Sequence, residues 1–112
     1  MKETDLVRLK HILDSALYAR AFIIGRKRED LDSDRMFASA LIREVAVIGE
    51  AASKITKETR DLLPNIEWNV IIGMRNRLIH AYFDISFDIL WDTAQDNLPL
   101  LINELEKIPD LR

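Results

Sequence analysis

The chain has 112 residues, 48% hydrophobic and 31% charged, with a formal net charge of −3. That is enough chain to bury one core without staples, and it is the wrong charge for a protein that grips duplex nucleic acid mainly through phosphates. Cysteine is absent, which excludes a disulfide framework, a thiolate metal site and a cysteine nucleophile, and fits a reducing cytoplasm. The opening stretch, MKETDLVRLKHILDS, is charged and amphipathic rather than a secretory leader, and no apolar run is long enough to span a bilayer. These features predict a single cytoplasmic domain over residues 1–112.

Three glycines and three prolines are too few for a turn-rich β-sandwich, and apolar residues recur instead at helical spacing. In the first stretch Leu6, Leu9, Leu13, Ala16, Arg20 and Ile23 follow one another at steps of three and four, with Thr4 as expected N-cap and Gly25 as stop. RKREDLDSD, from Arg26 to Asp34, reads as a solvated connection. A long helix follows, capped by Ser33 or Asp34, with Phe37, Leu41, Val45, Ile48, Ala52 and Ile55 on one stripe. Its many alanines invite close approach by another helix. The segment KETRDLLPNIEW, broken at Pro64, predicts a short irregular turn.

The third helix is expected from Trp68 to Tyr82. The fourth starts at a Ser86 cap and turns Phe87, Leu90, Trp91, Ala94, Leu98, Leu101 and Leu105 inward, with a kink at Pro99. The pattern predicts an all-α fold, an antiparallel four-helix up-and-down bundle with a kinked last helix.

The third helix is unusual. Trp68, Ile71, Arg75, Leu78 and Tyr82 share one stripe, so an arginine takes a core-like position. A buried guanidinium needs an anion: a carboxylate of this chain such as Glu44 or Glu50, a second subunit, or a ligand phosphate. Gly73, Asn76 and His80 form a second stripe, with Arg77 beside it. Gly73 would let another backbone approach, and Asn76 is placed to hydrogen-bond the imidazole of His80. Arg75 and His80 are five residues apart, about 140° around an ideal helix. To act together they need a loosened helix, a long reach from Arg75, or two chains.

Arginine, histidine and tyrosine without cysteine or clustered metal ligands suit metal-free attack on a phosphodiester. RNA carries its own nucleophile, the 2′-OH. Histidine can move the protons, and an arginine fork can hold the charge that develops on phosphorus. One protomer offers a single suitable histidine, whereas a two-fold dimer would bring two into one cleft.

The run RNRLIHAY, with Arg75, His80 and Tyr82, resembles the signature of HepT-like toxins of the HEPN superfamily. The flanking IREVAVIGEAA, IEWNVIIGMRNRLIHAYF and ILWDTAQDNLPLL extend that resemblance over nearly the whole chain, most weakly over RKREDLDSD. It implies a homodimeric, metal-independent ribonuclease that needs no cofactor and cuts RNA in the cleft between protomers. It also implies neutralisation by a minimal nucleotidyltransferase antitoxin. Arg75 and His80 match the catalytic pair, Asn76 the supporting polar residue, and Tyr82 the tyrosine that the antitoxin AMPylates. An AMP group there would obstruct RNA by bulk and charge.

Other residues read more plainly. His11 is a surface histidine; Arg26, Lys27 and Arg28 belong to a solvated loop; Trp68 and Trp91 are core anchors, with base stacking by Trp91 as a lesser role; Glu50 is a support for Arg75. A different class of function is a non-catalytic helical adaptor that presents nucleotide or substrate to a nucleotidyltransferase. It also needs Arg75 near a phosphate, but would tolerate an amide at position 80. A third is an interaction module with Arg75 in a structural ion pair.

Overall fold

A computed structural model describes residues 1–80 and 86–111, with the side chains of residues 78–80 outside the description. Every regular element among the described residues is helical. They are α1 (Glu3–Ile23), α2 (Asp30–Ser33), α3 (Arg35–Ser53), α4 (Lys57–Leu62), α5 (Trp68–His80), α6 (Phe87–Asp92) and α7 (Leu98–Glu106). A π-helical turn, Thr93–Asn97, joins α6 to α7, and a 3₁₀ turn, Pro109–Leu111, ends the described chain. α3 is central, packing against α1 on one side and α5 on the other, and α1 also packs against α7.

The α3 stripe is buried as its periodicity predicts, from Phe37 through Leu41, Val45, Ile48 and Ala52 to Ile55. On α1 the buried face is Leu9, Ile12, Leu13, Ala16 and Ala19, whereas Arg20 is exposed. The buried stripe is therefore rotated from the expected one, because Arg20 points outward and Ile12 and Ala19 point in. Leu90, Ala94, Leu98, Leu101 and Leu105 close the core from the last helical stretch.

Helix ends follow local chemistry. Asp34 caps α3 by accepting from the Phe37 N–H at 3.0 Å, and Ser86 caps α6 through the Ile89 N–H at 3.3 Å. α1 begins at Glu3, ahead of the expected Thr4 cap and without a side-chain cap, and Gly25 follows its end in the left-handed region at φ +73°. Two expected loops contain helix. Within RKREDLDSD, α2 forms a single turn that buries Leu31, and within KETRDLL, α4 is capped by Thr56. Each short helix is held by distant partners, a term that local pattern omits. Pro99 follows the π turn, in which the Leu98 N–H reaches back to the Thr93 carbonyl. The irregularity thus lies just before the proline, where wider turns accommodate its missing N–H and ring.

Two polar clusters tie helix ends together. Asp5, fully buried, accepts from the hydroxyls of Thr56 and Thr59 at 2.6 Å each and from the Thr56 N–H at 3.3 Å. Burial pushes this carboxyl up, but those hydrogen bonds, with the charge of Arg8, hold it below the ordinary aspartate value. Arg60 closes the end of α3, donating to the carbonyls of Ala52, Ser53 and Ile55 at 3.1–3.3 Å, and its guanidinium stands 5.9 Å from the Trp68 ring centre.

Candidate active site at the seam of α3 and α5

α5 carries the residues of interest on a regular helix that runs through His80. Trp68 anchors its start, nearly buried and donating its indole N–H to the Leu63 carbonyl at 3.3 Å. Met74, rather than Arg75, is the buried residue of the middle turn. Arg75 lies at the rim of the core, its side chain 27% exposed.

What brings Arg75 there is the absence of a side chain on α3. A Cβ built on Gly49 would fall 2.0 Å from the Arg75 Cβ, 2.8 Å from its Cγ and 3.1 Å from its Cα. The two helices therefore touch backbone to backbone at Gly49, and the arginine stem lies across the glycine. Within the chain Gly73 has no such role, since a Cβ there would meet nothing within 4 Å. The close approach expected at Gly73 belongs to Gly49, which immediately precedes the glutamate that engages Arg75.

That glutamate is Glu50. Arg75 Nη2 donates to Glu50 Oε2 at 2.5 Å, and Lys54 Nζ lies 3.2 Å from the other oxygen, Oε1. The hydrogen bond from Lys54 and then the charge of Arg75 hold the Glu50 carboxyl below its ordinary range, so it remains an anion. Arg75 Nη1 donates to Asn76 Oδ1 at 3.0 Å, so the Asn76 amide orients the arginine. Arg75 Nε is buried with no hydrogen-bond partner among the described residues. One guanidinium is thus held at two points, at the boundary between core and solvent.

The sequence-derived residues divide as follows. Arg75, Asn76 and Glu50 come together, and Glu44 is not the arginine's partner. The backbone of His80 ends α5 and its side chain is outside the description, while Tyr82 lies outside the described residues altogether. Because α5 is an α-helix through His80, a loosened helix does not close the 140° gap to Arg75. The reach of Arg75 or a second chain is left to do so. Among the described residues no cluster of histidine and carboxylates is arranged to hold a metal ion, and no helix is long and apolar enough to cross a membrane.

Two of the three cations in the basic run 26–28 are ion-paired. Arg26 pairs with Asp34 at 3.1 Å and lies 4.5 Å from the Phe37 ring centre. Arg28 bridges Asp32 and Asp88, tying the α1–α3 connection to the first turn of α6. Sequence inspection misses Lys54 as the second hold on Glu50, although Glu50 and Lys54 stand at the (i, i+4) spacing that favours such a pair. It also misses Gly49, for which the signal is a glycine inside an otherwise alanine-rich helix.

The described residues are all-helical, with an oriented arginine in the middle of the third long helix and a histidine five positions on, an architecture consistent with a HEPN-type domain. The comparisons agree: residues 12–108 match the family model described as Ribonuclease HepT-like. The chain is 33% identical over 100 residues to a candidate RNase of Caldanaerobacter subterraneus subsp. tengcongensis, covering 89% of each chain. It is 34% identical over 98 residues to a candidate RNase of Methanocaldococcus jannaschii, covering 88% of this chain and 90% of the other. It is 38% identical over 80 residues to the "Probable ribonuclease HepT" of Thermococcus cleftensis, covering 71% of this chain and 73% of that protein. No solved structure matches the chain. This chain belongs to the HepT-like ribonuclease family.

Proposed function

We propose that the chain is a metal-independent endoribonuclease toxin, acting as a homodimer of antiparallel four-helix HEPN-type bundles with one composite site in the cleft between protomers. The observation that carries this reading is the held guanidinium of Arg75. Glu50 and Asn76 constrain a permanent cation at the surface seam of α3 and α5, where a phosphate can meet it. Membership of a ribonuclease family supplies the substrate class.

In the reaction, His80 of one protomer accepts the proton of the ribose 2′-OH as the O2′–P bond forms. Arg75 neutralises the charge accumulating on the non-bridging oxygens. The P–O5′ bond then breaks, and His80 of the second protomer gives its proton to the leaving 5′ oxygen. The products are a 2′,3′-cyclic phosphate and a free 5′-OH, and each proton has a named carrier. The pairing of two protomers supplies the second histidine. In this reading the cognate minimal nucleotidyltransferase silences the toxin by attaching AMP to Tyr82.

The test is cleavage of labelled total RNA or tRNA in excess EDTA by antitoxin-free protein, beside Arg75→Ala and His80→Ala. Cleavage to a 2′,3′-cyclic end, lost in both folded variants, is the expected result. No cleavage by the folded, unmodified dimer across several RNAs would refute the reading and return the arginine to the role of docking residue for a nucleotidyltransferase. An intact mass unchanged after co-expression with the neighbouring nucleotidyltransferase would remove the AMPylation step alone.

A further inference from the structure

A concavity of about 460 Å³ opens between α1 and α3. Its walls include Ser15, Tyr18 and Phe22 from α1 and Arg43, Glu44 and Val47 from α3. Three properties distinguish it from an ordinary surface dip. The first is Glu44, a carboxylate only 6% exposed, whose neighbour in the structure is the Arg43 guanidinium at 3.2 Å. Arg43 is itself 72% exposed in its side chain, so this pairing leaves the cation free to turn outward. The second is an aromatic wall: Tyr18, 60% exposed, with its ring centre 6.4 Å from that of Phe22. The third is position. Arg43 and Glu50 are seven residues apart on α3, which places them within about 20° on one face and about 10 Å along the axis. Arg43, at the rim of the groove, therefore shares the face of α3 that carries Glu50, while Glu44 lies about 120° round on the α1 side.

A buried carboxylate and an exposed aromatic ring lining one groove are complementary to a planar group that carries N–H donors on one edge. Of the RNA bases, guanine alone offers two adjacent donors there, N1–H and the N2 amine, matching the two acceptor oxygens of a carboxylate. Tyr18 supplies the stacking face, and Arg43 at the rim supplies a cation for the adjoining phosphate. We propose that the α1/α3 groove is a base subsite for single-stranded RNA with a preference for guanine, so that cleavage at Arg75 falls near a guanine. This rests on the ribonuclease reading above. It also gives an acidic protein a local means of holding RNA, through one base rather than a long basic track.

The experiment measures kcat/KM on short single-stranded RNAs that differ at one position, bearing guanine, inosine (which lacks the N2 amine) or adenine. The expected preference for guanine over either is about tenfold, the discrimination that a paired hydrogen-bond contact gives. Glu44→Gln and Tyr18→Ala, each checked for fold by circular dichroism, should bring that ratio towards one. Equal rates on all three RNAs, or an unchanged ratio in both folded variants, would overturn the proposal. Loss of the dimer in Tyr18→Ala would also overturn it and assign the groove to subunit contact. If the wild-type protein cuts none of the RNAs, the ribonuclease reading has failed, and the subsite is judged by fluorescence anisotropy of labelled five-nucleotide RNAs. Tighter binding of the guanine oligomer that Glu44→Gln abolishes would sustain the subsite, and equal or absent binding would end it.

Discussion

Replacing Gly49 by alanine tests whether the fold and the site share one contact. The added methyl carbon would lie 2.0 Å from the Arg75 Cβ and 3.1 Å from its Cα. Carbon atoms rest about 3.5–4.0 Å apart, so α3 and α5 must separate locally by roughly 1.5 Å or more. No change of rotamer relieves this, because the nearest atoms are fixed to the backbone of α5. Overpacking of this kind destabilises by about 1–3 kcal/mol or more, against which the better helix propensity of alanine returns about 1 kcal/mol. A net loss of about 1–2 kcal/mol is expected, or a fall in Tm of roughly 4–8 °C. Urea unfolding followed by the fluorescence of Trp68 and Trp91 would measure it as a lower midpoint at unchanged slope. Cleavage should suffer more than stability, since a displacement of about 1 Å in a positioning group can lower a rate by about a hundredfold. Gly73→Ala is the internal control. With open space around its Cβ, it should stabilise by about 0.5–1 kcal/mol. A Gly49→Ala protein as stable as wild type would refute the backbone contact and the account of how Arg75 is held.

Glu50→Gln keeps the shape of the support but removes its charge; kcat for RNA cleavage should fall at least several-fold while Arg75→Lys, a point charge without the fork, falls further. Steady-state kinetics on one RNA would separate the two, and full activity in Glu50→Gln would show that Arg75 orients without its partner. Asp5→Asn should destabilise by about 1–3 kcal/mol, by disturbing three hydrogen bonds to a buried group. Because the Asp5 carboxyl is depressed in the folded state, its contribution is present above the unfolded value of about 3.9 and is lost as pH falls through the lower folded value. Wild type should therefore lose stability relative to Asp5→Asn as acid is added, and parallel pH profiles for the two would contradict that role. Arg60→Ala, which removes three carbonyl contacts and the Trp68 stack, should lower stability by about 2 kcal/mol in the same urea assay, with Arg60→Lys recovering only part.

The core stripe of α3, the caps at Asp34 and Ser86 and the irregularity near Pro99 are legible in the amino-acid sequence, because periodicity and local chemistry decide them. RNRLIHAY with its flanks points to the family in the same way. The departures have a common cause. α2 and α4 are too short for periodicity to register, and each depends on partners far along the chain: Arg28 reaches Asp88, and Thr56 and Thr59 reach Asp5. Arg75 has the spacing of a core residue, yet it ends at the rim, since Gly49 removes the side chain it would have met. Gly73, in the same helix as Arg75, is the more visible glycine, but the close approach within the chain is at Gly49. His80 and Tyr82 are legible as motif positions only, because their side chains fall outside the described part of the chain.

The clasp between Asp5 and α4 gives the order of synthesis a meaning. Asp5 leaves the ribosome 51 residues before Thr56, so the first helix must wait for that partner before its buried carboxylate is satisfied. α4 emerges next and α5 only afterwards. The nascent chain can therefore latch its scaffold before the helix bearing Arg75 has emerged. Removing the first helical turn would leave the hydroxyls of Thr56 and Thr59 facing a gap. The first turn of α1 is the first half of a latch.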